Sequence, residues 1–244
     1  MKVLVLDKFP IAIPELDHGF GTRLWKPDPL TMATMHQVHS NSVLAVDRPG
    51  PAGEGDALIT CMRGLILSIK TADCYPILIA DPRTRSIAAI HAGWRGTAGR
   101  IVAETVARMQ ADFGASPGDL HAAIGPGIGI CCYEVGEEVA RHFQSESERS
   151  GPAPLAHARG SAAPDGTGTV SERSKSGIMR SGSPVRRNID LAAINRHQLV
   201  ESGVPAGQIH LAGRCTFCEP DLFHSYRRDG DQAGRMISFI SIKT

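Results

Sequence analysis

The sequence predicts an α+β fold, and three observations carry that prediction. Two apolar runs, 75–80 and 86–90, flank Asp81-Pro-Arg-Thr84, where proline stands in the second position that a type I turn favours, so the pair reads as a β-hairpin. Residues 97–113 place Ile101, Val102, Thr105, Val106 and Met109 on one helical stripe that stops at Gly114. The remaining apolar segments alternate between strand-like and helix-like patterns without forming a regular βαβ series. At 244 residues and 42% hydrophobic content, one domain with a sizeable core is the expected arrangement.

Taken in order, strands are expected at 3–6, 43–46, 65–69, 76–80, 87–90, 120–124, 208–212 and 236–242. Besides 97–113, helices are expected at 134–143 and from the cap-like Asp190 to Gly203, just before Pro205. From 144 to 188 there is no Phe, Trp or Tyr, and Ser, Gly and Pro supply 19 of 45 residues, too little apolar surface to offset chain entropy. That stretch reads as a flexible insertion within a single domain spanning 1–244, its Arg186-Arg187 pair solvated.

Lys plus Arg number 26 against 25 Asp plus Glu, so no whole-protein field draws the chain to nucleic acid or an anionic membrane. A small neutral or mildly anionic partner fits better. The apolar run after Met1-Lys2 is only four residues long, and no later run approaches spanning length, so a cytoplasmic protein is expected. Its six cysteines are then expected as thiols or thiolate ligands, with adjacent Cys131 and Cys132 as ordinary buried residues.

The chemistry concentrates at the hairpin ends. If Asp81 pairs with Thr84, paired positions sum to 165 and Cys74 lies opposite His91; a longer loop would bring Gly93 opposite instead. Directly opposed side chains have Cβ atoms about 5 Å apart, close enough to share one metal ion or to form a thiol–imidazole pair. A third candidate comes from His36-Gln-Val-His39. Positions three apart on a strand face opposite sides, so only one of these histidines can join the site.

These residues carry a resemblance. Gln37-Val-His39, Thr71-Ala-Asp-Cys74-Tyr-Pro76, His91-Ala-Gly-Trp-Arg-Gly96, Gly125-Pro-Gly-Ile-Gly-Ile-Cys-Cys-Tyr-Glu-Val-Gly136 and Cys215-Thr216 followed by Ser225-Tyr-Arg-Arg-Asp-Gly230 and Gly234-Arg235 resemble the laccase-domain family, also called the multicopper polyphenol oxidase or peptidoglycan editing factor family. The match runs from about Gly19 to the C-terminus. It implies a layered α/β/β/α sandwich with mixed sheets and zinc bound by the positions matching His39, Cys74 and His91. It also implies phosphorolysis of purine nucleosides of the adenosine, inosine or methylthioadenosine class, with adenosine deaminase activity beside it. Family members have a longer segment after the Thr-Arg, whereas only 12 residues separate Arg23 from His36 here.

Two histidines and one cysteine match a catalytic zinc site, which keeps its fourth position open. Cys74 therefore counts both as a ligand and as a catalytic residue. Arg95, in Trp94-Arg95-Gly96-Thr97 ahead of the helix, is expected to bind phosphate and stabilise charge, aided by the helix N-terminus. Asp73 is expected to trade protons with substrate, and Arg23, which matches a family arginine, to bind phosphate or substrate. Gly125-Pro-Gly-Ile-Gly129 offers a weaker anion cradle. Arg227 and Arg228 are expected to brace the C-terminal strand. Cys215-Thr-Phe-Cys218 has half a zinc-knuckle spacing without a second pair, and is expected to be structural.

Three rivals stand beside the phosphorylase. Cys74 could act as the nucleophile of a hydrolase or transferase with His91 as base, and metal content discriminates. Copper oxidation finds less support: the ten histidines include no His-X-His pair, and no motif nominates an axial ligand for a His₂Cys copper site. A non-catalytic module that keeps its zinc is the third.

Overall fold

The computed structural model describes residues 3–4, 15–143 and 186–244. It is a mixed α+β single domain built on two six-stranded sheets. The first sheet holds β1 (Val3–Leu4), β2 (Leu16–Gly21), β3 (Met32–His36), β5 (Gly50–Glu54), β7 (Ile66–Thr71) and β14 (Met236–Ile242), in the order β1-β2-β14-β7-β3-β5. The second holds β4 (Val43–Ala45), β6 (Ala57–Thr60), β8 (Tyr75–Asp81), β9 (Ser86–Ala92), β10 (His121–Ile124) and β13 (Ile209–Leu211), in the order β13-β10-β8-β9-β6-β4. Both sheets are mixed: β3 runs parallel to β5 and β7, β4 to β6, and β10 to β13, while the remaining pairs are antiparallel. A short ribbon pairs β11 (Glu134–Val135) with β12 (Arg187–Asn188).

Side-chain alternation explains why the two sheets stack. In β8, Ile77 and Ile79 point to one core and Leu78 and Ala80 to the other; in β9, Ala88, Ile90 and Ala92 oppose Ile87 and Ala89 in the same way. One core fills the space between the sheets, where Leu78 and Ala89 meet Phe20, Leu67, Ile69 and Ile240. The other lies under helices α2 (Ile101–Phe113) and α4 (Leu191–Glu201), through Ile101, Val102, Val106, Met109, Ile194 and Leu199. Because β8 and β9 are buried on both faces, they read as unbroken apolar runs. On the first sheet a 3₁₀ turn at Pro29–Thr31 lies beside β3 and β5.

Several local expectations change. The helix expected at 97–113 is two, α1 (Trp94–Ala98) and α2, separated where Arg100 takes a left-handed conformation at φ 59°. The helix expected at 134–143 is instead β11, a single turn α3 (Glu137–Ala140) and a 3₁₀ turn, because residues 134–135 find a strand partner in β12. That partner lies inside the stretch expected to be an insertion, so Arg187 and Asn188 belong to the folded domain. Residues 144–185 lie outside the described residues, as do residues 5 and 6 of the first expected strand. Strands β2, β3, β5 and β6 had no expected counterpart; Gly50–Glu54 carries two glycines and a proline, which hide a strand from propensity reasoning.

The hairpin register also differs. Asp81 pairs with Ser86 and Pro76 with His91, so paired positions sum to 167 and the loop has four residues, 82–85. Asp81 builds the longer loop: its carboxylate accepts from the Arg83 amide and the Thr84 hydroxyl, each at 2.8 Å, while Arg85 closes it at φ 59° with its amide 3.0 Å from the Asp81 carbonyl. Cys74 is therefore not directly opposite His91.

Candidate metal centre

Despite that shift, the ligand atoms of His39, Cys74 and His91 lie within 4.8 Å of one another. One step beyond the ladder, the register puts Gly93 opposite Cys74, and Cys74 reaches His91 on the diagonal. Gly93 makes this possible. A Cβ there would sit 3.0 Å from Cys74 Sγ and 3.1 Å from His39 Cδ2, so the missing side chain is the room the three donors share.

His39 arrives from the loop between β3 and β4. Gln37 zips the start of that loop onto β7, exchanging two 2.8 Å hydrogen bonds with the Lys70 backbone. His39 itself sits at φ 60°, a conformation that costs energy in a non-glycine residue and needs support. Asp56, fully buried at the entrance to β6, supplies it. Its carboxylate accepts from the amides of Val38 (3.3 Å), His39 (3.0 Å) and Ser40 (2.6 Å) and from the Ser40 hydroxyl (2.8 Å). The same carboxylate lies 2.7 Å from His91 Nδ1, and the Asp56 carbonyl accepts from the His91 amide at 2.7 Å.

One carboxylate thus fixes two of the three donors. With Nδ1 given to Asp56, Nε2 is the nitrogen left to face Cys74 and His39, whose ring meets His91 edge-on at 4.8 Å between centroids. Burial would raise the Asp56 carboxyl, but the hydrogen bonds from His91 and Ser40 outweigh it and keep it below the usual range. Burial likewise works against the Cys74 thiolate, yet hydrogen bonds and charge from His39 and His91 bring the thiol down to about 6. For His91, burial opposes the charged form, and Asp56 and Cys74 overcome it, lifting the ring to about 9. A deprotonated thiol, a tautomer-fixed imidazole and a second imidazole suit a soft or borderline divalent ion.

The trio opens into a cavity of about 870 Å³ whose lining includes Asp73, Trp94, Arg95, Tyr133, Arg227 and Arg235. Asp73, at φ 81°, accepts from the Thr216 hydroxyl and the Arg227 amide, each at 2.6 Å, which fixes its direction. Arg95 lies 4.3 Å over the Trp94 ring. Its helix starts earlier than expected, with Gly93 as N-cap, and is only five residues long.

Arg23 lies apart from the other expected site residues. It does not line the cavity; its side chain donates to the Pro220 carbonyl at 2.6 Å. His36 lies at the exposed edge, 3.4 Å from Glu54 and outside the trio. The glycines of 125–129 serve packing: a Cβ at Gly125 would strike Phe20 at 2.3 Å and one at Gly127 the Tyr75 ring at 2.6 Å. Arg228 braces the 216–223 loop rather than the C-terminal strand, donating to the carbonyls of Thr216, Phe217 and Phe223, while Arg227 lines the cavity and lies 5.3 Å over Tyr133. Asp56 went unread in the sequence; the signal was a carboxylate opening the wholly buried run Ala57–Thr60.

Residues 22–243 match the model of a family described as multi-copper polyphenol oxidoreductase laccase. The chain belongs to this family. A protein named purine nucleoside phosphorylase, from Deinococcus radiodurans, is 42% identical over 86% of this chain and 70% of its own. A protein named adenosine deaminase RL5, from an unknown prokaryotic organism, is 36% identical over 81% of this chain and 66% of its own. The chain spans 59–60% of the length of two further relatives named as phosphorylases. The crystal structure of the hypothetical protein YfiH from Bacillus licheniformis superposes with a TM-score of 0.77 at 26% identity, covering 99% of this chain and 97% of that one. Among the described residues, no helix is long and apolar enough to cross a membrane.

Proposed function

We propose that this chain is a zinc-dependent purine nucleoside phosphorylase whose reaction centre is the His39–Cys74–His91 trio. One observation carries the reading: a three-donor metal site and a set of cations, Arg95, Arg227 and Arg235, open into one cavity large enough for a nucleoside and phosphate. The names of the relatives support the same small-molecule substrates, purine nucleoside and inorganic phosphate. Zinc held by His39, Cys74 and His91 would supply a Lewis acid with an open fourth position.

The residues of the chain do the rest. Stacking on Trp94 holds the Arg95 guanidinium flat and leaves its N–H edge for a phosphate oxygen, while Arg227 and Arg235 add positive charge across the cavity. Phosphate attacks C1′ of the ribose as the bond to the purine nitrogen breaks, through an oxocarbenium-like state, and the electron pair leaves with the base. Asp73, aimed by Thr216 and the Arg227 amide, is the group proposed to assist proton transfer.

Deamination is the second reading, favoured by the relative named adenosine deaminase. The His-X-Glu glutamate of nucleobase deaminases is missing, since Asn41 and Gly93 stand two residues after His39 and His91. Glu134 and Glu138 nevertheless line the cavity. Product chromatography with and without phosphate separates the readings. The expected result is phosphate-dependent release of free base from adenosine or inosine, exceeding deamination and lost in Arg95→Ala with metal retained. Base release indifferent to phosphate, or inosine as the main product from adenosine, would overturn the proposal.

A further inference from the structure

A second group of donors lies outside the His39–Cys74–His91 trio. Cys131 and Cys132 come from the turn after β10, Cys215 and Cys218 from the loop after β13, and their four sulfurs lie within 4.8 Å of one another. We infer that Cys131, Cys132, Cys215 and Cys218 form a second, structural metal site for one tetrahedral zinc or iron ion held by four thiolates.

The spacing is the first argument. At a zinc–sulfur distance of about 2.3 Å, a tetrahedron has sulfur–sulfur edges of about 3.8 Å. Cys131 and Cys218 are 3.7 Å apart and Cys132 and Cys218 3.3 Å, so a modest expansion admits one ion. A multi-iron cluster, with several metal atoms between its cysteines, would need them farther apart. A disulfide needs about 2.05 Å between sulfurs and uses only two of the four.

The surrounding backbone is the second argument. The Gly129 amide donates to Cys215 Sγ at 3.2 Å, as a thiolate ligand favours. Gly129 also leaves the room, since a Cβ there would press within 3.3 Å of both Cys131 Sγ and Cys215 Cβ. Amide bonds from Cys132 (2.9 Å) and Tyr133 (3.0 Å) to the Gly129 carbonyl fold a turn that offers both adjacent cysteines. The two loops are joined next door by the Gly127–Cys215 bridge and the 3.0 Å bond from the Thr216 amide to the Gly127 carbonyl.

Charge is the third. Four thiolates at these separations would repel one another without a cation among them. A divalent ion removes that repulsion. The site clamps the cavity wall that carries Ile128 and Tyr133 to the loop that carries Thr216, which aims Asp73. Its place in the fold makes it a brace beside the cavity, separate from the trio.

The test is metal counting on protein purified under reductant, saturated with zinc and gel-filtered. Wild type and Cys61→Ser are expected to hold about two zinc ions per chain, and His39→Ala and Cys218→Ser about one each. His39→Ala loaded with cobalt(II) keeps the cysteines intact and is expected to show the strong sulfur-to-cobalt charge-transfer and tetrahedral d–d absorption of a four-thiolate site, which decides the matter even if cysteine variants fail to fold. Zinc-free His39→Ala with all four thiols open to titration, or a disulfide among them under reductant, would overturn the inference.

Discussion

The trio and the four-cysteine group solve the same problem with different supports. Around His39, Cys74 and His91 the sheet does the positioning: His91 is an integral part of β9, Cys74 stands one residue before β8, and a buried carboxylate, Asp56, ties both histidines in place. Around Cys131, Cys132, Cys215 and Cys218 two loops do it, through the amide–sulfur bond from Gly129 and the tight turn there. The first centre opens into the cavity and the second only braces its walls, so losing the first should abolish chemistry and losing the second should loosen substrate binding.

The largest effect belongs to the donors themselves. Cys74→Ala or His39→Ala is expected to lose the metal of the trio and all base release, while His36→Ala, whose ring pairs with Glu54, keeps both; elemental analysis of the three variants checks this, and equal retention would break the ligand assignment. Next comes Asp56→Asn. It preserves shape but removes the charge that fixes the His91 tautomer, and a 10–100-fold loss of metal affinity is the order of magnitude for such a partner. Competition with a chromophoric chelator measures it; unchanged affinity would show that the sheet alone suffices.

Smaller effects come from the two glycines. Gly93 has an ordinary φ of −79°, so Gly93→Ala strains no backbone and acts only by crowding Cys74 and His39. Several-fold weaker metal binding with little change in Tm is expected. Gly129→Ala, with contacts a few tenths of an ångström looser, should perturb the cysteine group less; the reverse order in calorimetric titrations would contradict the steric comparison.

The smallest expected effect lies in neither centre. Burial holds His18 below the usual histidine range, whereas the unfolded chain takes up its proton near pH 6.5. Between those two values the unfolded state binds more protons, so this contribution to stability falls as pH drops below about 6.5. His18→Asn should flatten the decline of Tm between pH 7 and 5; an unchanged slope would assign the decline elsewhere.

The contrast also explains what could be read in advance. His39, Cys74 and His91 flank apolar strand runs or lie within them, and each sits in a family block, so the donor set was legible although the hairpin register was not. A four-residue loop closed by Arg85 in a left-handed conformation leaves no composition signal, and diagonal reach across Gly93 restored the contact. Asp56 was missed because the short apolar run it opens, Ala57–Thr60, was not read as a strand. The cysteine group was hidden more deeply, since adjacent Cys131–Cys132 and Cys215-X-X-Cys218 meet only through the parallel pairing of β10 with β13 and the bridge beyond it. The two sheets were half legible: runs buried on both faces announced β8 and β9, while the glycine-rich β5 announced nothing.

The most direct test removes the metal. Dialysis of wild-type protein against a strong chelator under reductant, followed by zinc, should abolish and then restore phosphate-dependent base release, with no restoration in Cys74→Ala. Metal-free protein that still releases base at the wild-type rate would contradict the reading and leave Cys74 and His91 as a nucleophile and base.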